Sequence, residues 1–249
     1  MRILFNKFDK KALAELPMAS FDKKIVVVNN EFDAERAVDF LLKQDILGLD
    51  TETRPTFHRG ESRQVSLLQV GTEEICFLFR LNHIGIPDSI VRLLSDQKTI
   101  KVGLSLKNDI DALLKRRQFT PGQFVDLQKC VKDFGIEDMS LQKIFANIFQ
   151  QKISKKQQLS NWEADILSDK QKLYAATDAW ACVMIYNELN KLKEKGYELK
   201  IVEPVTAPLQ EGEINLPPEE KKSPSRGKKK SRRRKNTKTT KKQQDNVQL

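Results

Sequence analysis

Apolar and polar positions alternate along this chain with two different periods, and the change between them outlines a fold. Residues 24–28 (Lys-Ile-Val-Val-Val) are short and β-branched, which predicts a buried strand. Asn30 is placed to cap a helix over 31–43, where Ala34, Val38, Leu41 and Leu42 fall on one face. Strands are predicted at 46–52, 65–70 and 75–79, the last two joined as a hairpin across Gly71-Thr72-Glu73-Glu74. A helix over about 87–95, a strand at 99–102 and a helix over about 106–117 follow. From Asp126 onward the period is helical, in segments near 126–134, 140–149 and 170–194, broken by Gly135 and by the polar stretch 150–158. Residues 1–20 form a short lead, with one helical turn docked by Leu13 and Leu16.

Early strands with helices between and after them predict an α/β domain over about 21–200, a mixed sheet with an antiparallel portion flanked by helices. Beyond it, Pro204, Pro208, Pro217, Pro218 and Pro224 precede a tract of Lys, Arg, Ser and Thr. Such a segment buries too little apolar surface to offset its ordering entropy, so 201–249 is expected to be a disordered linker and basic tail.

Charge sharpens that division. The formal net charge is +10, yet 13 of the 44 basic residues lie at 221–242, where there is no acid. Only Asp245 among the acids lies beyond, so the first 220 residues hold 31 basic against 33 acidic residues. The basicity belongs to the tail, which is expected to contact the phosphate backbone of nucleic acid; a solubilising tail or a nuclear-localisation signal are the other readings. Cys76, Cys130 and Cys182 are odd in number and far apart, the pattern of buried free thiols without disulfide or zinc spacing. No signal peptide or membrane span is expected. An intracellular protein follows, cytoplasmic in a bacterium, with a nuclear location open in a eukaryote.

Candidate chemistry comes from three places. Asp50 and Glu52 in Ile46-Leu47-Gly48-Leu49-Asp50-Thr51-Glu52 share one strand face, because side chains alternate. Two adjacent carboxylates repel unless a cation such as Mg²⁺ neutralises them, although acids ending a strand at the surface read the same way. Tyr174 and Asp178, four apart in a helical stretch, share a helix face, as a solvated pair would too. Ala175 and Ala179 nearby are small enough to let that helix approach a sheet closely. Asp109 follows the strand-ending Gly103 and stands in a first helical turn, where the helix dipole alone would favour it. No Gly-rich loop follows any strand, which excludes dehydrogenase and P-loop classes.

Taken in order, Asp-x-Glu, the Gly-to-Asp turn and Tyr-x-x-x-Asp resemble the DEDD exonucleases of the ribonuclease H-like fold. The spacing of the last motif resembles their DEDDy branch, which includes ribonuclease D and the Werner syndrome protein's exonuclease domain. A His five residues before the final Asp marks the other branch, and Leu173 occupies that position here. Ser160-Asn161-Trp162, Glu52-Thr53-Arg54-Pro55 and Val65-Ser66-Leu67-Leu68-Gln69 resemble the Werner type in particular.

The resemblance, over about 25–195, implies a 3′–5′ exonuclease using two divalent ions, Mg²⁺ or Mn²⁺, on single-stranded or recessed 3′ ends, DNA slightly ahead of RNA. It implies Asp50 as bridging metal ligand, Glu52 and Asp178 at the first metal, Asp109 at the second, and Tyr174 orienting the attacking water. Candidates for substrate contact are Thr51, Arg54, Phe57, Arg59, Arg63, Lys107 and Trp162, with packing the simpler role for Trp162. A non-catalytic nucleic-acid-binding protein on an exonuclease fold is the alternative; its signature would be loss of one of these acids.

Overall fold

The computed structural model describes residues 1–58 and 60–202. The expectations for Arg59, for the proline-containing linker and for the basic tail lie outside the described residues.

The chain runs β1 (Arg2–Phe5), α1 (Lys10–Glu15), β2 (Lys24–Val28), α2 (Glu31–Leu41), β3 (Ile46–Thr53), β4 (Val65–Gly71) and β5 (Ile75–Phe79). It continues α3 (Leu81–Ile84), α4 (Asp88–Ser95), β6 (Ile100–Gly103), α5 (Leu106–Arg116), β7 (Phe124–Asp126) and α6 (Leu127–Cys130). A 3₁₀ turn (Val131–Phe134), α7 (Leu141–Phe149), α8 (Asp169–Lys195) and β8 (Tyr197–Lys200) complete it.

Six strands form one sheet in the order β2-β5-β4-β3-β6-β7. Strands β3, β4 and β5 are antiparallel neighbours, while β2 pairs with β5, β6 with β3 and β7 with β6 in parallel. The expected hairpin joins β4 to β5, and the Thr72 hydroxyl accepts from the amides of Glu74 and Ile75 at 3.1 Å each. Asn30 caps α2 by accepting from the Asp33 amide at 2.8 Å.

Alternation along β3 divides the core. Leu47 and Leu49 pack with α2, α4 and α5 on one side of the sheet. Gly48 faces α8, and a Cβ there would stand 1.8 Å from the Ala179 carbonyl oxygen. That glycine, with the fully buried Ala175, Ala176 and Ala179, lets helix backbone lie almost directly on strand backbone. The closeness matters because Asp50 and Asp178 sit immediately beyond this contact.

Three strands are additional to those expected from the pattern. β7 has only three residues, all half-buried, at the sheet edge. β1 and β8 pair with each other as a separate two-stranded parallel sheet, Arg2 opposite Tyr197 through Phe5 opposite Lys200. The expected lead is therefore part of the folded unit: Leu4 is fully buried, and Asn147 both donates to the Phe5 carbonyl and accepts from its amide. A helical turn does occupy 10–15, but Leu13 and Leu16 are only half-buried. Among the described residues no helix is long and apolar enough to cross a membrane.

Candidate active site

Strand β3 and helix α8 between them bring three carboxylates together. Asp50 and Glu52 project toward α8 from successive outward positions of β3, and α8 returns Asp178 one residue before the Gly48–Ala179 contact. One oxygen from each of Asp50, Glu52 and Asp178 lies within 4.8 Å of the others. They open onto a cleft of about 270 Å³ whose lining includes Tyr174, Thr51 and Cys182.

Helix α8 is positioned from its start. Ser168 accepts from the Gln171 amide, and the Gln171 side chain returns to the Ser168 amide at 3.0 Å, a reciprocal cap. The Gln171 amide group also donates to the Asn161 carbonyl at 3.1 Å. Trp162 is fully buried against the Tyr174 ring, centroids 6.0 Å apart. The Ser160-Asn161-Trp162 segment thus braces the helix and the tyrosine. Trp162 has no exposed face to offer a base, in keeping with packing as its simpler role.

Electrostatically the site is frustrated. Burial, then the charges of Asp178 and Asp109, hold the Asp50 carboxyl well above the usual carboxylate range. Burial and then Asp50 push Glu52 up to about 10. Burial raises Asp178 to about 7, against the opposing effects of Tyr174 and Lys155. The Tyr174 hydroxyl is itself raised by burial, then by Asp178 and Glu52, so it is a proton donor and not a base.

Asp109 stands outside the group of three. It lies in the first turn of α5 and accepts a hydrogen bond from the Thr51 hydroxyl at 2.5 Å. Burial raises it to about 6 despite that bond. Thr51 is thus engaged with an acid as well as lining the cleft.

An oxygen-only donor set this tight, with its carboxyls driven toward neutrality, fits hard divalent cations. Of the remaining candidates, Phe57 is 81% exposed in a separate groove that Arg54 and Arg63 also line. Both arginines are held by Glu163, at 3.1 and 3.2 Å. Lys107 lines neither; it borders another cleft between α5 and α6. Sequence reasoning missed the polar part of the cleft lining that includes Ser140, Gln142, Ser154, Lys155 and Gln158. These residues lie in aperiodic or helix-starting sequence, and no spacing signals that they meet the acids.

Comparison with known proteins agrees with this geometry. A family model described as 3′–5′ exonuclease matches residues 25–194. The mouse bifunctional 3′–5′ exonuclease/ATP-dependent helicase WRN is 29% identical over 184 residues, 72% of this chain but only 13% of that protein. The solved EXO domain of Aedes aegypti Nibbler superposes with a TM-score of 0.65 at 19% identity, covering 72% of this chain and 95% of that one. A Trypanosoma brucei RNase D solved in complex with RNA gives a TM-score of 0.59 at 22% identity, over 68% and 63% of the two chains. The two structures share the fold, and the matched family carries the assignment: this chain belongs to the 3′–5′ exonucleases, in their DEDDy branch.

Proposed function

We propose that this protein is a metal-dependent 3′–5′ exonuclease that releases nucleoside 5′-monophosphates from nucleic-acid 3′ ends, with DNA slightly preferred to RNA. The observation that carries the reading is the group of Asp50, Glu52 and Asp178 within 4.8 Å, open to a cleft beside Tyr174. A degenerate, purely binding relative would be expected to have lost one of these groups, and all are present.

In this reading Asp50, Glu52 and Asp178 hold divalent ions, Mg²⁺ or Mn²⁺, and Asp109 supports the second position. When bound, such ions stabilise the attacking and leaving oxygens of an in-line displacement and lower the pKa of the attacking water. Tyr174, kept protonated by its surroundings, donates a hydrogen bond that orients that water. The Thr51 hydroxyl fixes the Asp109 carboxylate. The oxygen–phosphorus bond forms from water and the P–O3′ bond breaks, leaving phosphate on the released nucleotide's 5′ carbon.

The preference for DNA rests on the Werner-type segments around Glu52 and Trp162, and the RNA-bound trypanosomal relative makes RNA the arm to measure against. The test is a time course on matched 3′-labelled DNA and RNA oligonucleotides with Mg²⁺, with Mn²⁺ and with EDTA. Stepwise mononucleotide release, faster on DNA and abolished by EDTA, is expected. Binding without release, internal cleavage, or release insensitive to EDTA would refute the reading.

A further inference from the structure

Among the lysines and arginines of the described residues, only Lys155 lines the cleft shared by Asp50, Glu52, Tyr174 and Asp178. It forms no ion pair there, unlike Lys143 and Lys172, which are tied to Asp138 at 2.8 Å and Asp169 at 2.6 Å.

Its backbone is fastened on both sides. Lys152 donates its amide to Pro17 at 2.9 Å, its carbonyl accepts from Ala19 at 2.8 Å, and Ile153 is buried with its carbonyl taken by Gln142 at 2.6 Å. Beyond it the chain turns, with the Gln158 amide reaching the Lys155 carbonyl at 3.3 Å. The segment is thus anchored where it borders the cleft. A lysine on an exposed turn is ordinarily just solvated, and a lysine beside three carboxylates ordinarily pairs with one. This one is exposed and forms no ion pair among the described residues, yet it lines the cleft and acts electrostatically on Asp178.

We propose that Lys155 is a catalytic residue that contacts a non-bridging oxygen of the scissile phosphate. This rests on the exonuclease reading and adds a substrate group to it. A cleft lined by acids repels a phosphodiester, and negative charge spreads over the phosphoryl oxygens as displacement proceeds. A cation in the lining of the same cleft opposes both, more strongly in the transition state than in the bound substrate. Lys155 moves no proton in this role; it supplies charge and a hydrogen bond.

The test compares wild type, Lys155→Met and Lys155→Arg on two substrates with saturating Mn²⁺. One is a DNA oligonucleotide, and the other is the p-nitrophenyl ester of thymidine 5′-monophosphate, whose only phosphate is the scissile one. The expected result is a kcat loss of about 100-fold for Lys155→Met on both substrates. Lys155→Arg should recover most of it, and the Mn²⁺ concentration giving half-maximal rate should not move.

Loss on the oligonucleotide alone would place Lys155 on a distant phosphate and overturn the proposal. A displaced Mn²⁺ midpoint with full kcat at saturation would make it a positioning residue for the acids, which also overturns it. So would unchanged rates. A wild-type chain that hydrolyses neither substrate would sink the exonuclease reading itself, and this inference with it.

Discussion

Arg80 and Lys101 are buried cations, and Asp50, Glu52 and Asp178 are crowded acids, but only the cations find partners of suitable charge within the protein, although the Arg80 Nε is left without one. The Arg80 guanidinium donates to the backbone carbonyls of Asp165, at 3.2 Å, and Ala164. Lys101 donates to the Asp96 carbonyl at 2.5 Å and lies 5.3 Å from the centre of the Phe124 ring. Each therefore recovers part of its lost hydration from fixed dipoles or π density. The acids face one another instead: besides burial, Asp178 raises Asp50, and Asp50 with Asp178 raises Glu52. Lys155, the one cation lining their cleft among the described residues, forms no ion pair with them. Charge that a fold compensates internally serves the fold, whereas charge left uncompensated beside an open cleft is kept for something that binds there.

Breaking the comparison from the acid side should have the largest effect. Asp178→Asn should lower exonuclease turnover by about 1,000-fold or more, because it removes a ligand from a charge-stabilising site. Measured in EDTA, the same variant should melt no lower than wild type, since one of the repelling carboxylates is gone. From the cation side, Arg80→Met should destabilise the protein by about 3 kcal/mol in denaturant titrations, because two carbonyls lose their donor. Its remaining folded fraction should keep normal turnover.

Tyr174→Phe sharpens the contrast within the cleft. It removes a neutral hydroxyl and no charge, so a turnover loss of about 10- to 100-fold is expected, smaller than that of Asp178→Asn. The smallest effect is on pH dependence. Folded-state values of about 6 for Asp109, about 7 for Asp178 and about 10 for Glu52 lie above their ordinary carboxylate values. The folded protein thus holds protons that the unfolded chain releases, so this stability is complete below about pH 4 and is lost as pH rises through those values. In EDTA the melting temperature should be lower at pH 8 than at pH 5, and saturating Mn²⁺ should flatten that slope. A metal-free protein that is more stable at pH 8 would contradict the assignment of these acids.

The two kinds of region also differ in how far the sequence disclosed them. Strand β3 and helix α8 have strong periods, so the shared faces of Asp50 with Glu52 and of Tyr174 with Asp178 could be read directly. What brought them together was Gly48 against Ala179, a contact between backbones 131 residues apart for which the alanines alone were a hint. Strands β1 and β8 were illegible because four residues are too few to carry a period, and they pair across 195 positions of the sequence. Trp162 kept the packing role that was its simpler reading, whereas Lys155 carried no expectation at all. One lies in a motif that resembles the family and proved to be core, and the other lies in a featureless polar stretch and proved to line the cleft.

If cations from outside the protein complete this acid group, calorimetric titration of Mn²⁺ into the full chain at pH 7 will register them. Saturable binding accompanied by proton release, seen as a heat that depends on the buffer's ionisation enthalpy, is predicted for wild type, with both lost in Asp50→Asn. Absence of binding, or binding and proton release unchanged in Asp50→Asn, would contradict completion of the group from outside.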